Sequence, residues 1–304
     1  MAQHLHLASR NGHVDLTRML LERTADLSAQ NEEGSTVLRL ASEHGYAGLA
    51  QILVGCGAGT SVQNEDGSTA LHLASRIGDV NFARMLIGHG ASVSVRKKDG
   101  WTALHLACRD GYVDLARMLV EHGADVSAQN EEGSTPLNLA SFNGHVDLVR
   151  ILIEHGADVS APKMNGWTAL HSASPEGYVD LAQILVEHGA DPSARTEDGW
   201  TALHLASLNG QVDLVLMLIK HGADVSVQTE DGWTVLHLAS ENGHADLVQM
   251  FIERGADISA QTEDGWTALR LASENGHVDI TQMLADRSNR TAPQPTPQIT
   301  TTLT

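Results

Sequence analysis

The chain has 304 residues, of which 42% are hydrophobic and 4% aromatic, and its 28 glycines bring the apolar share into the range of folded domains. This composition excludes disorder for most of the chain. Lys and Arg number 19 against 38 Asp and Glu, which gives a net charge of −19 and a pI near 5.2. A chain with this negative charge repels nucleic-acid phosphates and attracts basic protein surfaces, so we expect no nucleic-acid ligand.

The sequence carries no signal for a membrane or a secretory route. No run approaches the ~18 consecutive apolar residues of a membrane span. The N-terminal sequence MAQHLHLASRNGH lacks the basic start and apolar stretch of a secretory signal. Cys56 and Cys108 are the only cysteines, too few for a disulfide scaffold. We therefore expect a cytoplasmic protein in a reducing setting, without membrane insertion.

Self-similarity organises the chain. An alanine follows a recurrent leucine by three residues in every copy, from Ala8 to Ala272, and a glycine follows four residues later, from Gly12 to Gly276. The leucine itself recurs at a constant step of 33 residues, nine times without an insertion, at Leu5, Leu38, Leu71, Leu104, Leu137, Leu170, Leu203, Leu236 and Leu269. This regularity predicts a repeat protein of nine copies.

The copy that begins at Thr201 illustrates the local structure that the sequence predicts. Thr201 is placed to cap a first helix, which Asn209-Gly210 ends because glycine tolerates the left-handed conformation. A second helix, VDLVLMLIKHG, has Asp213 near its positive N-terminal end and closes at Gly222. The polar, turn-rich segment 223–232 then predicts a projecting β-hairpin, which we call the finger.

Neither helix of a copy can cover its apolar stripe alone, so neighbouring copies must stack. The predicted fold is an all-α repeat solenoid of stacked helix–turn–helix units with projecting β-hairpin fingers. The array is expected over residues 1–288, with an incomplete first unit and a polar cap as the last unit. Residues 289–304, rich in Pro and Thr, are expected to be a disordered tail. Pro175 lies late in a first helix and should shorten it.

The repeat resembles that of ankyrin-repeat proteins over residues 3–288. The resemblance implies a curved right-handed stack whose fingers and inner helices line a concave binding face. It also implies an intracellular protein-binding scaffold without catalysis. The matching motifs are Thr-Ala-Leu-His-Leu-Ala at 69–74, 102–107 and 201–206, Gly-His-Val-Asp at 12–15, 144–147 and 276–279, and Gly-Ala-Asp at 123–125, 156–158, 189–191, 222–224 and 255–257.

The 17 histidines do not predict a metal site. Most of them occupy three slots of the repeat, and copies of one slot lie ~8–10 Å apart by helix packing distances. Two histidines on one zinc ion would each lie ~2 Å from the metal. We interpret them as structural, bonding loops to helices, and expect no cofactor. The chain also lacks a nucleophile elbow, a phosphate-binding loop and a dinucleotide fingerprint, so we expect no enzyme.

The five tryptophans all occupy one slot, between the finger glycine and the helix-capping threonine. Serine holds that slot at positions 35, 68 and 134. The resemblance implies that the slot faces the concave surface, where the last four indoles would form a ladder spaced ~10 Å apart. Large amphipathic rings anchor partners, but each ring could instead pack on the next finger. The slot residues are Trp101, Trp167, Trp200, Trp233 and Trp266.

Acidic pairs lie at the finger tips beside the tryptophans. Such pairs are often only a solvated edge; as partner-binding candidates we take Glu197, Asp198, Glu230, Asp231, Glu263 and Asp264. Earlier fingers carry Glu32-Glu33, Glu65-Asp66 and Glu131-Glu132, whereas Arg96-Lys97-Lys98 reverses the sign. The face is therefore expected to be most acidic toward the C-terminal half.

These patterns favour a non-enzymatic scaffold that binds a basic protein or peptide on the concave face, with tryptophan anchors and acidic finger tips that steer the partner. Two other hypotheses stay open. The array could be the sensor part of a larger multidomain protein with a covalently linked upstream domain, since the first unit has no finger before Leu5. More remotely, the groove could act on a small molecule, although the sequence shows no catalytic cluster.

Overall fold

The computed structural model describes residues 2–22, 26–31 and 35–291. The chain divides into two compact units, which we describe separately. The first unit holds residues 1–173 and 180–191, and the second holds residues 174–179 and 192–304. Over the described ranges both units are built from α-helices and turns, with one 3₁₀-helix at Met164–Gly166 in the first unit and no assigned β-strand.

The first unit consists of helix pairs, each joined by a short turn, that follow one another along the chain. Its inner helices contact each other in succession, and so do the outer helices from the second to the fifth pair. The inner helices are α1 (Ala2–Arg10), α3 (Val37–Glu43), α5 (Ala70–Ile77), α7 (Ala103–Asp110), α9 (Pro136–Phe142) and α11 (Ala169–Ala173). The outer helices are α2 (Val14–Leu21), α4 (Ala47–Gly55), α6 (Val80–Gly88), α8 (Val113–Glu121), α10 (Val146–Glu154) and α12 (Val179–Glu187), whose first residue belongs to the second unit.

The second unit repeats the same arrangement. Its inner helices are α13 (Ala202–Leu208), α15 (Val235–Glu241) and α17 (Ala268–Glu274), and its outer helices are α14 (Val212–Lys220), α16 (Ala245–Glu253) and α18 (Val278–Thr291). Helix α15 contacts both α13 and α17, and α16 contacts α18. Both units therefore have the predicted all-α repeat solenoid fold.

The repeated leucines and glycines explain why each pair forms. Leu104 in the first unit and Leu236 in the second are at most 1% exposed, so the constant 33-residue period builds the core. Gly111 ends α7 with φ +83°, in the left-handed region that favours glycine. A Cβ there would also lie 2.7 Å from the His145 imidazole, so the turn has no room for a side chain. The pattern therefore fixes both packing and turns.

The fingers are closed by turns and backbone hydrogen bonds. Within the described residues they contain no assigned β-strand, so the structure does not confirm the predicted β-hairpins. In the second unit the Thr229 N–H donates to the Trp233 carbonyl at 2.9 Å, and the Gly232 N–H donates to the Thr229 carbonyl at 3.0 Å. The finger that ends at Trp101 has the same pair of bonds, from Lys97 and Gly100. Both of these fingers therefore present a tight turn directly before the next inner helix.

The chain departs from the regular repeat at Pro175 and at its C-terminal segment. Helix α11 ends at Ala173, two residues before Pro175, and has five residues where the other inner helices have seven to nine. The predicted shortening is confirmed, because proline cannot donate the backbone hydrogen bond that would extend the helix. At the C-terminus α18 continues to Thr291, so residues 289–291 are helical. The rest of the predicted tail, 292–304, and the pair Glu32-Glu33 lie outside the described residues.

Candidate functional site

The base of the candidate site is a threonine–histidine pair at the start of the inner helices. In the second unit the Thr234 N–H donates to His237 Nδ1 at 3.1 Å, and the His237 N–H donates to Thr234 Oγ1 at 3.3 Å. This reciprocal pair is a capping box. Because Nδ1 accepts, the ring proton sits on Nε2, which donates to the Ala260 carbonyl at 3.0 Å. The histidine thus ties its helix to the next finger, which confirms the predicted structural role.

The same pair recurs in the first unit, where burial keeps the imidazole neutral. His105 accepts from the Thr102 N–H at 3.2 Å and bonds to the Ser134 carbonyl at 3.1 Å. Burial lowers the pKa of His105 to about 4, outweighing the carbonyls that favour the charged form. Burial also lowers the pKa of His72 and of His237. These rings therefore act as neutral connectors at pH 7.

Tryptophan follows the finger turn and precedes the capping threonine, so the backbone on both sides of it is fixed. The Trp233 N–H donates to Thr229 Oγ1 at 3.1 Å, and its ring meets His237 edge-on with centroids 6.0 Å apart. Trp200 has the equivalent contacts with Thr196 and with the His204 ring, at 5.9 Å. All five tryptophans are half-buried. Each tryptophan side chain is thus partly covered by the protein and partly exposed to solvent.

The acidic finger tips of the second unit are joined through their backbones. The Glu230 N–H donates to the Asp198 carbonyl at 3.0 Å, and the Glu263 N–H donates to the Asp231 carbonyl at 2.9 Å. The side chains of Glu197, Asp198, Glu230, Asp231, Glu263 and Asp264 are exposed, and within the described residues none of them forms an ion pair. Carboxylates of successive fingers are therefore held near one another by the backbone, and the Arg195 guanidinium donates to the Gln228 carbonyl at 2.7 Å between the first two of these fingers.

The fingers of the first unit are electrostatically mixed. The finger before Trp101 holds Arg96 and Lys97, and Lys97 Nζ lies 3.0 Å from an Asp99 carboxylate oxygen. The Arg109 guanidinium carbon lies 5.3 Å from the Trp101 ring centroid. These contacts offset part of the acidic character that the other fingers would give this unit.

Sequence reasoning missed the cations that lie on the tryptophan rings. Besides Arg109 on Trp101, Lys163 Nζ lies 5.2 Å from the Trp167 centroid and the Arg270 guanidinium carbon lies 4.0 Å from the Trp266 centroid. The available signal was Arg270 in place of the usual histidine, four residues after its tryptophan. The distances fall within the range of cation–π interactions.

The part of the chain that the structure describes shows no cluster of three or more His, Cys, Asp or Glu that could hold a metal ion. Cys108 of α7 is buried in the core, and this burial raises the pKa of its thiol, so the thiol stays protonated at neutral pH. Among the described helices none is both long and apolar enough to cross a membrane.

Stacked helix pairs linked by turn-rich fingers define a helical-repeat protein. The chain belongs to the ankyrin-repeat family: the family model described as ankyrin repeats in three copies matches residues 2–64, 38–130, 126–196 and 203–294. A comparison with curated protein sequences gave no match. Ankyrin repeats are protein–protein interaction modules and are typically a non-enzymatic scaffold fold.

Proposed function

We propose that this chain is a non-enzymatic scaffold that binds a basic protein or peptide through the tryptophan slots and the acidic finger tips. The observation that carries the proposal is the backbone link between successive fingers of the second unit, from Glu230 to Asp198 and from Glu263 to Asp231. It links three successive fingers whose exposed carboxylates form no ion pair among the described residues, and each of these fingers leads into a half-buried tryptophan. Partner side chains that are apolar and cationic match such a surface.

The test uses a Trp200→Ala, Trp233→Ala double variant. A partner is captured from a native extract with the wild-type chain, purified, and its dissociation constant measured by calorimetry. Buried aromatic anchors commonly account for ~2 kcal/mol or more each, so we expect the double variant to bind at least tenfold more weakly. Leu216→Ala is the control, because Leu216 is 39% exposed on the outer helix α14. Equal affinity of both variants and wild type would remove the tryptophans from the binding site.

A second candidate function, a regulatory array joined to an upstream domain, is favoured by the first helix pair. Leu7 and Leu16 are 56% and 44% exposed, whereas their equivalents one repeat later, Leu40 and Leu49, are 5% and 1% exposed. These leucines leave an apolar face that a preceding segment of the same protein would cover. The genomic reading frame upstream of the Met1 codon tests this candidate, and a stop codon directly before it would exclude it.

A further inference from the structure

In three tryptophan slots the chain places one of its own cations on the indole. Arg109 does so for Trp101, Lys163 for Trp167 and Arg270 for Trp266, at 5.3, 5.2 and 4.0 Å from the ring centroids. The three cations come from three different positions of the repeat: eight residues after the tryptophan, four before it and four after it. Because separate sequence positions deliver the same contact, the slot itself favours a cation.

Trp233 differs from these three slots. The equivalent positions around it hold Glu241, Thr229 and His237, and no cation of the described residues lies on its ring. His237 offers a buried ring whose pKa burial lowers, so it supplies no positive charge at neutral pH. The slot has the indole but lacks the cation.

Three carboxylates occupy positions of the repeat next to the Trp233 slot in sequence. Glu241 ends α15, at the position from which Arg109 reaches Trp101, and the His277 Nε2–Glu241 carbonyl bond of 2.9 Å holds that helix end in place. Glu230 and Asp231 lie at the tip of the finger that leads into Trp233. Within the described residues none of these three carboxylates forms an ion pair. A cation that entered the slot would therefore meet an aromatic face in a repeat whose carboxylates have no ion-pair partner among the described residues.

We propose that Trp233 and Glu241 form a receptor for an arginine or lysine side chain of the bound peptide, which completes in trans the contact that Arg109, Lys163 and Arg270 make in cis. This inference rests on the proposed function and makes it specific, because it assigns Trp233 to a cationic residue of the partner. The slots at Trp101, Trp167 and Trp266 already hold a cation of this chain and are therefore closed to a cation of the partner. A basic residue of the peptide is thereby placed in register with one repeat.

The test observes the five indole N–H signals of the full chain by NMR, assigned through single Trp→Phe substitutions. The probe is a capped nine-residue peptide with one arginine among glycines and serines, compared with the same peptide carrying neutral citrulline. We expect the arginine peptide to shift the Trp233 signal at 150 mM salt. The citrulline peptide should shift it little, and the arginine peptide should shift the signals of Trp101, Trp167 and Trp266 little. An exposed ion pair is worth ~0.5–1 kcal/mol, so Glu241→Gln should weaken binding of the arginine peptide roughly twofold to fivefold.

A variant that supplies the cation from the chain itself, at the position equivalent to Arg109, makes the test stricter. Glu241→Arg should shift the Trp233 signal without any peptide and abolish the response to the arginine peptide. Glu253→Arg, on the outer helix α16, makes the same change in net charge and should leave the Trp233 response intact. Equal responses to arginine and citrulline, or equal responses of all five indoles, would overturn the receptor.

The outcome also separates this inference from the proposed function. Loss of partner binding in the Trp200→Ala, Trp233→Ala variant without arginine selectivity at Trp233 would keep the proposed function and overturn the receptor. Arginine selectivity at Trp233 with unchanged partner binding in that variant would overturn the proposed function and, with it, the assignment of the receptor to the partner.

Discussion

In the first unit the finger at residues 96–100 carries three successive cations and Trp101 lies against Arg109, whereas the second unit presents a Glu-Asp pair in each of its three fingers. Serine occupies the tryptophan slot at three positions of the first unit, while all three slots of the second unit hold tryptophan. The supporting contacts are the same, since Thr102 with His105 and Thr234 with His237 both form capping boxes. The repeat therefore separates residues that build the scaffold from residues that give each region its chemistry.

The largest expected effect tests the shared scaffold through pH. The native pKa of His105 is about 4 and an unfolded histidine titrates near 6.5, so the unfolded chain binds the extra proton between these values. The contribution of His105 is complete above pH 6.5 and is lost as the pH falls toward 4. At ~1.4 kcal/mol per pKa unit this amounts to about 3 kcal/mol of unfolding free energy.

His105→Asn provides the matched variant, because Asn138 occupies the same slot and caps its helix with a 3.0 Å bond from the Thr135 N–H. We expect the variant to lose the bond to Ser134, about 1 kcal/mol at pH 7. Its stability, measured by urea unfolding, should fall less between pH 6.5 and 4.5 than that of wild type. His237→Asn should change the second unit in the same direction. An unaltered pH dependence in both variants would contradict the neutral-connector role.

An intermediate effect decides between packing and recognition at the tryptophan slot. Serine holds this slot at Ser68 and Ser134, so the scaffold tolerates a small residue there. Trp233 is half-buried, and we expect Trp233→Ser to lower the unfolding free energy by ~1 kcal/mol, well below the ~3–5 kcal/mol of a core tryptophan. Trp101→Ser in the first unit is the parallel measurement. A loss of 3 kcal/mol or more would assign the ring to packing on the next finger.

Much of the fold could be predicted because a constant 33-residue step places equivalent leucines in the core of each unit, as Leu104 is in the first and Leu236 in the second. The shortening of α11 before Pro175 also follows from local chemistry. The cations on the rings could not be predicted, because Arg109, Lys163 and Arg270 occupy unrelated positions of the repeat and meet the slot only in three dimensions. Periodicity predicts what every copy shares, and the candidate site depends on what differs between copies.

The smallest expected effect on stability comes from the charges that distinguish the two units. Glu230→Lys with Asp231→Lys reverses one finger tip, and both side chains are exposed and unpaired within the described residues, so unfolding free energy should change by less than ~0.5 kcal/mol. Exposed charges act mainly on diffusional encounter, so association with the basic partner should slow severalfold at low salt while dissociation changes little. Surface plasmon resonance at 50 and 300 mM salt measures both rates. Because salt screens exposed charges, the difference from wild type should shrink at 300 mM, and an effect confined to dissociation would place these carboxylates in direct contact with the partner.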